Sequence, residues 1–302
     1  MTVTTSPDLS DLLISWKLAL EGSRKSAQTI GSYTLGARLY LDWCAENGHP
    51  PVLDRKQVQR WVVELMHSGR SPATARARLS ALRAYSKWLA AEEELPSDPL
   101  LGIAPPRLDS KVVDALSTEE LAALIRACKG KEFIDLRDEA VVRLFAETGM
   151  RARELLGLTV EDVDLGRGLI TVQRGKGGKG RIVPFGGATG TAVDRYLRRA
   201  RRKHRLAHTS NALWLGGGGQ KFGYHGLDTA LKRRAELAGL RSFHIHQLRH
   251  TFASRWVTAQ GSEGGLMAVA GWSSRQMVDR YTRSVAADRA AAEARRLNLG
   301  DI

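Results

Sequence analysis

Cysteine is nearly absent: Cys44 and Cys128 are the only thiols in 302 residues. That excludes a disulfide framework and a four-cysteine zinc site, and it suits a reducing compartment. Long apolar runs are missing too, since no stretch approaches the roughly 20 residues that a membrane-spanning helix needs. The opening Met1-Thr-Val-Thr-Thr-Ser-Pro-Asp8 has neither a basic nor an apolar region, so it does not read as a secretory signal. No internal repeat or long low-complexity tract is visible. A cytoplasmic protein with no membrane partner is expected, resident on the nucleoid if bacterial.

Negative charge is also in short supply. Lys and Arg number 46 against 32 Asp and Glu, giving a formal net charge of +14 and a pI near 10.2. A polyanion is the leading partner for such a chain. Residues 1–100 hold 12 basic and 11 acidic side chains, leaving 34 and 21 for the rest, so the excess sits almost wholly in the second part. Hydrophobic residues at 43% and charged ones at 26% are ordinary globular values, which excludes wholesale disorder.

The length accommodates two domains. Residues 1–100 read as an all-helical unit. Apolar residues recur at helical spacing through Leu9 to Leu20, Ile30 to Trp43, Val58 to Leu65 and Leu79 to Leu89. Asp8 or Ser10, then Asp54 and Ser71-Pro72, offer helix starts. Prolines then interrupt the pattern, culminating in Pro105-Pro106, and place a linker at 101–114. A second domain over 115–302 opens with a capping box, Ser117 to Glu120. It continues as a mixed α/β region, mainly helical with a small sheet. Leu169 to Gln173 and Arg181 to Phe185 form a β-hairpin around a glycine-lysine turn. A basic helix spans about 188–205, with Arg198, Arg199, Arg201, Arg202 and Lys203 facing DNA or a partner. Further helices are expected near 225–238, 246–259, 276–282 and 286–297.

The chemistry concentrates in Arg241 to Ser254, followed by Ala270-Gly271-Trp272 and Tyr281. An imidazole, a guanidinium, an indole N–H and a phenol gather there. Phosphate chemistry without a metal needs such a set: fixed donors for the non-bridging oxygens, a proton-transfer group and an oxygen nucleophile. Three histidines, His244, His246 and His250, raise the question of zinc. His246 and His250 have the i, i+4 spacing, but Arg249 stands beside them and no acidic base lies between, so no metal is expected. The alternative has His246 and Arg249 turned together toward a phosphate and His250 structural. Gly175-Lys176-Gly-Gly-Lys179 is not a P-loop, because a strand rather than a Ser/Thr and helix follows.

Taken in order, Thr148-Gly-Met-Arg151-x-x-Glu154-Leu, Gly175-Lys176-Gly, His246-x-x-Arg249-His250-Thr-Phe-Ala, Ala270-Gly-Trp272 and Tyr281 resemble the signature of the tyrosine site-specific recombinases, the phage integrase family. The helical unit resembles that family's SAM-like core-binding domain. The resemblance implies a two-domain recombinase clamping a specific double-stranded DNA site. Tyr281 would attack the scissile phosphate, giving a 3′-phosphotyrosyl link and a free 5′-hydroxyl, with no cofactor. Arg151 and Arg249 would hold the non-bridging oxygens, and Trp272 would donate its N–H to one. Lys176 would protonate the leaving oxygen. His246 would assist proton transfer or stabilise charge, with Glu154 behind as a buttress. A phenol with a pKa near 10 is a poor nucleophile at neutral pH, which is why the cations matter.

Two features depart from the pattern: Trp272 replaces the usual histidine, and Arg153 stands two residues after Arg151. On the helical unit Lys25, Thr29, Arg70, Arg76, Arg78 and Arg83 are candidate DNA contacts. The family acts as a tetramer on DNA, and Ala286 to Leu297 is the segment expected to meet a neighbouring protomer; any accessory protein is unknown. With the first helix starting within about ten residues of Met1, no arm-type DNA-binding domain is expected. Integration or excision of phage or mobile-element DNA is the leading setting. A Xer-like chromosome-dimer resolvase, a catalytically silent architectural protein and a type IB topoisomerase are the alternatives.

Overall fold

The computed structural model describes residues 8–108, 115–173, 180–279, 281–282 and 295. The chain divides into two units, residues 1–111 and 112–302.

In the first unit the apolar spacing forms α1 (Leu12–Gly22), α2 (Ala27–Glu46), α3 (Arg55–His67) and α4 (Pro72–Ala91). Ser26, Asp54 and Ser71 cap the last three, each side chain accepting the backbone N–H three residues on. Ahead of α1, Asp8 accepts the N–H of Ser10 at 2.7 Å, tightening the approach to the helix. The core is ring-rich: Trp16 lies between Tyr33 and Tyr85, and Tyr40 meets Trp61 edge-on. Helices α2 and α4 come close because Gly36 has no side chain; a Cβ there would fall 2.6 Å from that of Ala81. Of the expected linker, residues 109–114 lie outside the described residues. Its start is packed instead: Ile103 is buried in this core, and Arg55 donates to the carbonyls of Leu101 and Gly102.

The second unit contains α5 (Thr118–Ala127), α6 (Phe133–Thr148) and α7 (Ala152–Leu156), then a three-stranded antiparallel sheet. Its strands are β1 (Val163–Asp164), β2 (Leu169–Val172) and β3 (Arg181–Pro184), in that order. Strand β1 is an addition to the expected hairpin, pairing Val163 with Ile170. The turn carrying Lys176 lies outside the described residues. After it come α8 (Gly187–Arg199), α9 (Tyr224–Leu237), α10 (His246–Thr258) and α11 (Glu263–Ala270). Helix α6 runs through the core, burying Val141, Val142, Leu144 and Phe145. Residues 276–279 and 281–282 are helical; of the expected helix at 286–297, only Arg295 is described.

The basic helix expected over 188–205 is corrected. It ends at Arg199, followed by a single 3-10 turn at Arg201–Lys203. Arg201 does not face outward: it is buried, donating to the carbonyls of Ser210 at 2.7 Å and Ala212 at 2.8 Å. Those carbonyls have no strand or helix partner, and a guanidinium fork supplies the donors they need.

Candidate active site

The site is organised around the C-terminal end of α11. The last carbonyls of a helix have no intrahelical donor and carry its negative pole. Here three successive ones each accept a different guanidinium. Arg181 Nε donates to Val269 O at 2.9 Å, Arg249 Nη2 to Ala270 O at 2.9 Å, and Arg151 Nη2 to Gly271 O at 3.1 Å. Gly271 closes the helix in the left-handed conformation at φ +65°, and a Cβ there would lie 2.9 Å from the Arg181 guanidinium.

Arg249 projects from α10 and is 4% exposed. Its Nη1 also donates to Gly149 O. Gly149 ends α6 at φ +55°, where a Cβ would strike the ring of Phe252 at 2.1 Å, so the Thr-Gly-Met turn requires glycine. Burial, and then the neighbouring charge of Arg151, lowers the Arg249 pKa to about 10. Arg151 precedes α7, with its side chain 34% exposed. Glu154 locks it reciprocally, accepting the Arg151 N–H at 2.8 Å and Nη1 at 2.8 Å. The carboxylate of Glu154 also takes both Nη groups of Arg181, at 3.1 and 2.7 Å. Burial works against that charge, but the hydrogen bonds from Arg181 and Arg151 outweigh it and bring the Glu154 pKa down to about 2.

Beyond Gly271 the chain delivers Trp272, whose indole stacks on the Tyr281 ring at 5.4 Å and 11°. Arg249 lies over the same indole at 5.2 Å. Trp272 Nε1 is buried without a hydrogen-bond partner among the described residues. Such an orphaned donor calls for an acceptor that the described residues do not supply. Tyr281 is 7% exposed, and its hydroxyl is hydrogen-bonded to Nδ1 of His250.

That last contact changes the reading of the histidines. His250, and not His246, is the imidazole in hydrogen-bond contact with the phenol. His246, the first residue of α10, stands near the arginines instead. Its side chain keeps some surface in solvent, but burial of the remainder, then the charges of Arg249, Arg151 and His244, depress its pKa. The structure therefore brings together Arg151, Glu154, His246, Arg249, Trp272 and Tyr281, while Lys176 lies outside the described residues. Sequence reasoning missed Arg181 altogether.

In the helical unit Lys25, Arg70 and Arg76 are exposed, and Arg78 and Arg83 are half-buried. The Thr29 hydroxyl is held by Ser26 Oγ at 2.8 Å. Arg78 Nε is buried without a partner among the described residues, and burial followed by the charge of Arg70 lowers the Arg78 pKa.

Comparison with known proteins accords with this geometry. Residues 114–287 match the phage integrase family, and residues 13–93 match the phage integrase N-terminal SAM-like domain. Tyrosine recombinase XerC of Xanthomonas campestris pv. campestris is 30% identical over 260 residues, covering 85% of this chain and 79% of the relative. Tyrosine recombinase XerD of Halalkalibacterium halodurans is 29% identical over 233 residues, covering 76% and 78%. The crystal structure of XerH recombinase bound to a palindromic difH substrate, a post-cleavage complex, superposes with a TM-score of 0.73 at 20% identity, covering 95% and 84%. These matches define the class: a tyrosine recombinase, an enzyme that cleaves and rejoins DNA strands. Within that class the chain belongs to the phage integrase family.

Proposed function

We propose that this protein is a site-specific DNA recombinase in which Tyr281 Oη attacks the scissile phosphorus and displaces O5′. The product is a 3′-phosphotyrosyl link, which the 5′-hydroxyl of a partner strand then resolves by the reverse transesterification. Arg151 and Arg249 hold the non-bridging oxygens as the pentacoordinate charge develops, and Trp272 Nε1 donates to one of them. Lys176 protonates the leaving O5′. His250, hydrogen-bonded to the phenol, receives its proton, and His246 stabilises charge beside the arginines. The observation that carries this reading is the Trp272 N–H, buried and without a partner among the described residues, on an indole that lies against the Arg249 guanidinium and stacks on the Tyr281 ring.

The DNA partner is a duplex bearing a specific core site, and the working assembly is a tetramer on two such sites. Lys25, Thr29, Arg70, Arg76, Arg78 and Arg83 contribute backbone contacts, and Ala286 to Leu297 joins neighbouring protomers. Of the two biological settings, similarity to recombinases named XerC and XerD favours resolution of chromosome dimers over phage or mobile-element integration. Tryptophan at 272 is the feature that favours integration.

A suicide substrate, nicked beside a candidate crossover site and run on a denaturing gel, tests the chemistry. A covalent protein–DNA band with the wild type and none with Tyr281→Phe is expected. No band on any core site that the protein binds tightly would leave a silent DNA-binding protein. A plasmid with directly repeated copies of the cleaved site separates the settings. Conversion to two circles supports resolution, and reaction only between unlike sites supports integration.

A further inference from the structure

Among the described residues of this site, Arg181 is an arginine that no motif marks, and its surroundings differ from those of Arg151 and Arg249. Its side chain is 12% exposed, against 34% for Arg151. Each of its three nitrogens already donates within the protein, Nε to Val269 O and both Nη groups to the two oxygens of Glu154. The fork-to-fork geometry with Glu154 is the arrangement in which a guanidinium best fixes the plane of a carboxylate. The same two oxygens also accept from the backbone N–H and Nη1 of Arg151. Strand β3, helix α7 and the end of α11 thus meet at a single guanidinium, and Gly271 leaves the space it occupies.

From this we infer that Arg181 is a positioning residue for strand cleavage: through Glu154 it holds the Arg151 guanidinium at the angle required by the scissile phosphate. The role rests on the phosphotyrosyl reading of the site. Without Arg181, Glu154 keeps the backbone N–H and Nη1 of Arg151 but loses two of its four hydrogen bonds, those of the Arg181 fork that braces it against β3. The carboxylate is then held only by the residue it has to position, and the two can shift together away from the phosphate. A displacement of that kind impairs chemistry more than DNA binding, because Arg151 must match a developing charge at one place.

The test compares wild type, Arg151→Ala, Arg181→Ala and Arg181→Lys on two suicide DNAs, one with the ordinary scissile phosphodiester and one with a racemic methylphosphonate there. The methylphosphonate has one non-bridging oxygen replaced by methyl and carries no charge, so a cation at that position is no longer needed. On the phosphodiester, Arg181→Ala is expected to slow adduct formation roughly 100-fold, with site affinity by gel shift little changed. On the methylphosphonate its deficit should largely disappear, in step with that of Arg151→Ala. Arg181→Lys, which keeps the charge but not the fork, should give a smaller deficit with the same relief. It carries the test if circular dichroism shows Arg181→Ala unfolded. An equal deficit on both DNAs, or none on the phosphodiester, overturns the positioning role. A wild type that forms no adduct on either DNA overturns the recombinase reading itself.

Discussion

The two units solve the problem of a stable interior differently. The first packs rings: Trp16, Tyr33, Tyr40, Trp61 and Tyr85 meet face to edge or in stacks, and the buried phenols of Tyr40 and Tyr85 donate to the carbonyls of Val52 and Leu9. The second buries charge. Among the described residues every ion pair lies there, including Asp138 between Arg137 and Arg234, and Glu154 between Arg151 and Arg181. An apolar core needs only shape to be right. Buried guanidiniums need partners with fixed geometry, and a framework of that kind can hold cations still for a phosphate.

The largest expected effect that sharpens this contrast is on chemistry. Arg249→Ala removes a buried cation over Trp272 and should slow adduct formation roughly 1,000-fold, measured on the suicide substrate at saturating DNA. A loss below tenfold would break the assignment. Next comes stability. Asp138→Ala leaves Arg137 and Arg234 without the carboxylate between them and should cost about 3–5 kcal/mol, read by denaturant unfolding. Trp16→Ala, its counterpart in the ring-packed unit, should cost a similar ~3–5 kcal/mol by leaving a cavity. A negligible cost for Asp138→Ala would mean that the buried charges of the second unit are decoration.

The acid response comes next. Because the Glu154 pKa is depressed to about 2 from an ordinary 4.5, its contribution is fully present above about pH 4.5. It falls away as pH drops toward 2. The difference amounts to about 3 kcal/mol. Glu154→Gln should flatten that part of the stability profile between pH 5 and 2, measured by thermal unfolding; an unchanged slope would refute the clamp.

Much of the scaffold was legible in the sequence because it depends on local rules. Asp54, Ser71-Pro72 and the Ser117–Glu120 box sit where capping chemistry demands them. Glycine at 149 and 271 marks left-handed turns that the motifs already contained. What escaped was long-range. Arg181 reads only as the start of the hairpin's second strand; nothing local announces a carboxylate 27 positions earlier. Arg201 looked like one more cation in a basic run, yet it turns inward to serve loop carbonyls. His246 and His250 are a helical turn apart, and only the path of the chain to Tyr281 decides which of them meets the phenol. Two-residue strand β1 has too little sequence to carry a period of its own.

The central claim, that the arginine-framed end of α11 presents Tyr281 to a phosphate, is tested most directly by mapping the covalent adduct. Wild-type protein trapped on suicide DNA would be digested with nuclease and protease and analysed by mass spectrometry. A nucleotide remnant esterified to the tyrosine of the peptide containing Tyr281 is the predicted result. A remnant on any other residue, or trapping that persists in Tyr281→Phe, would contradict the account.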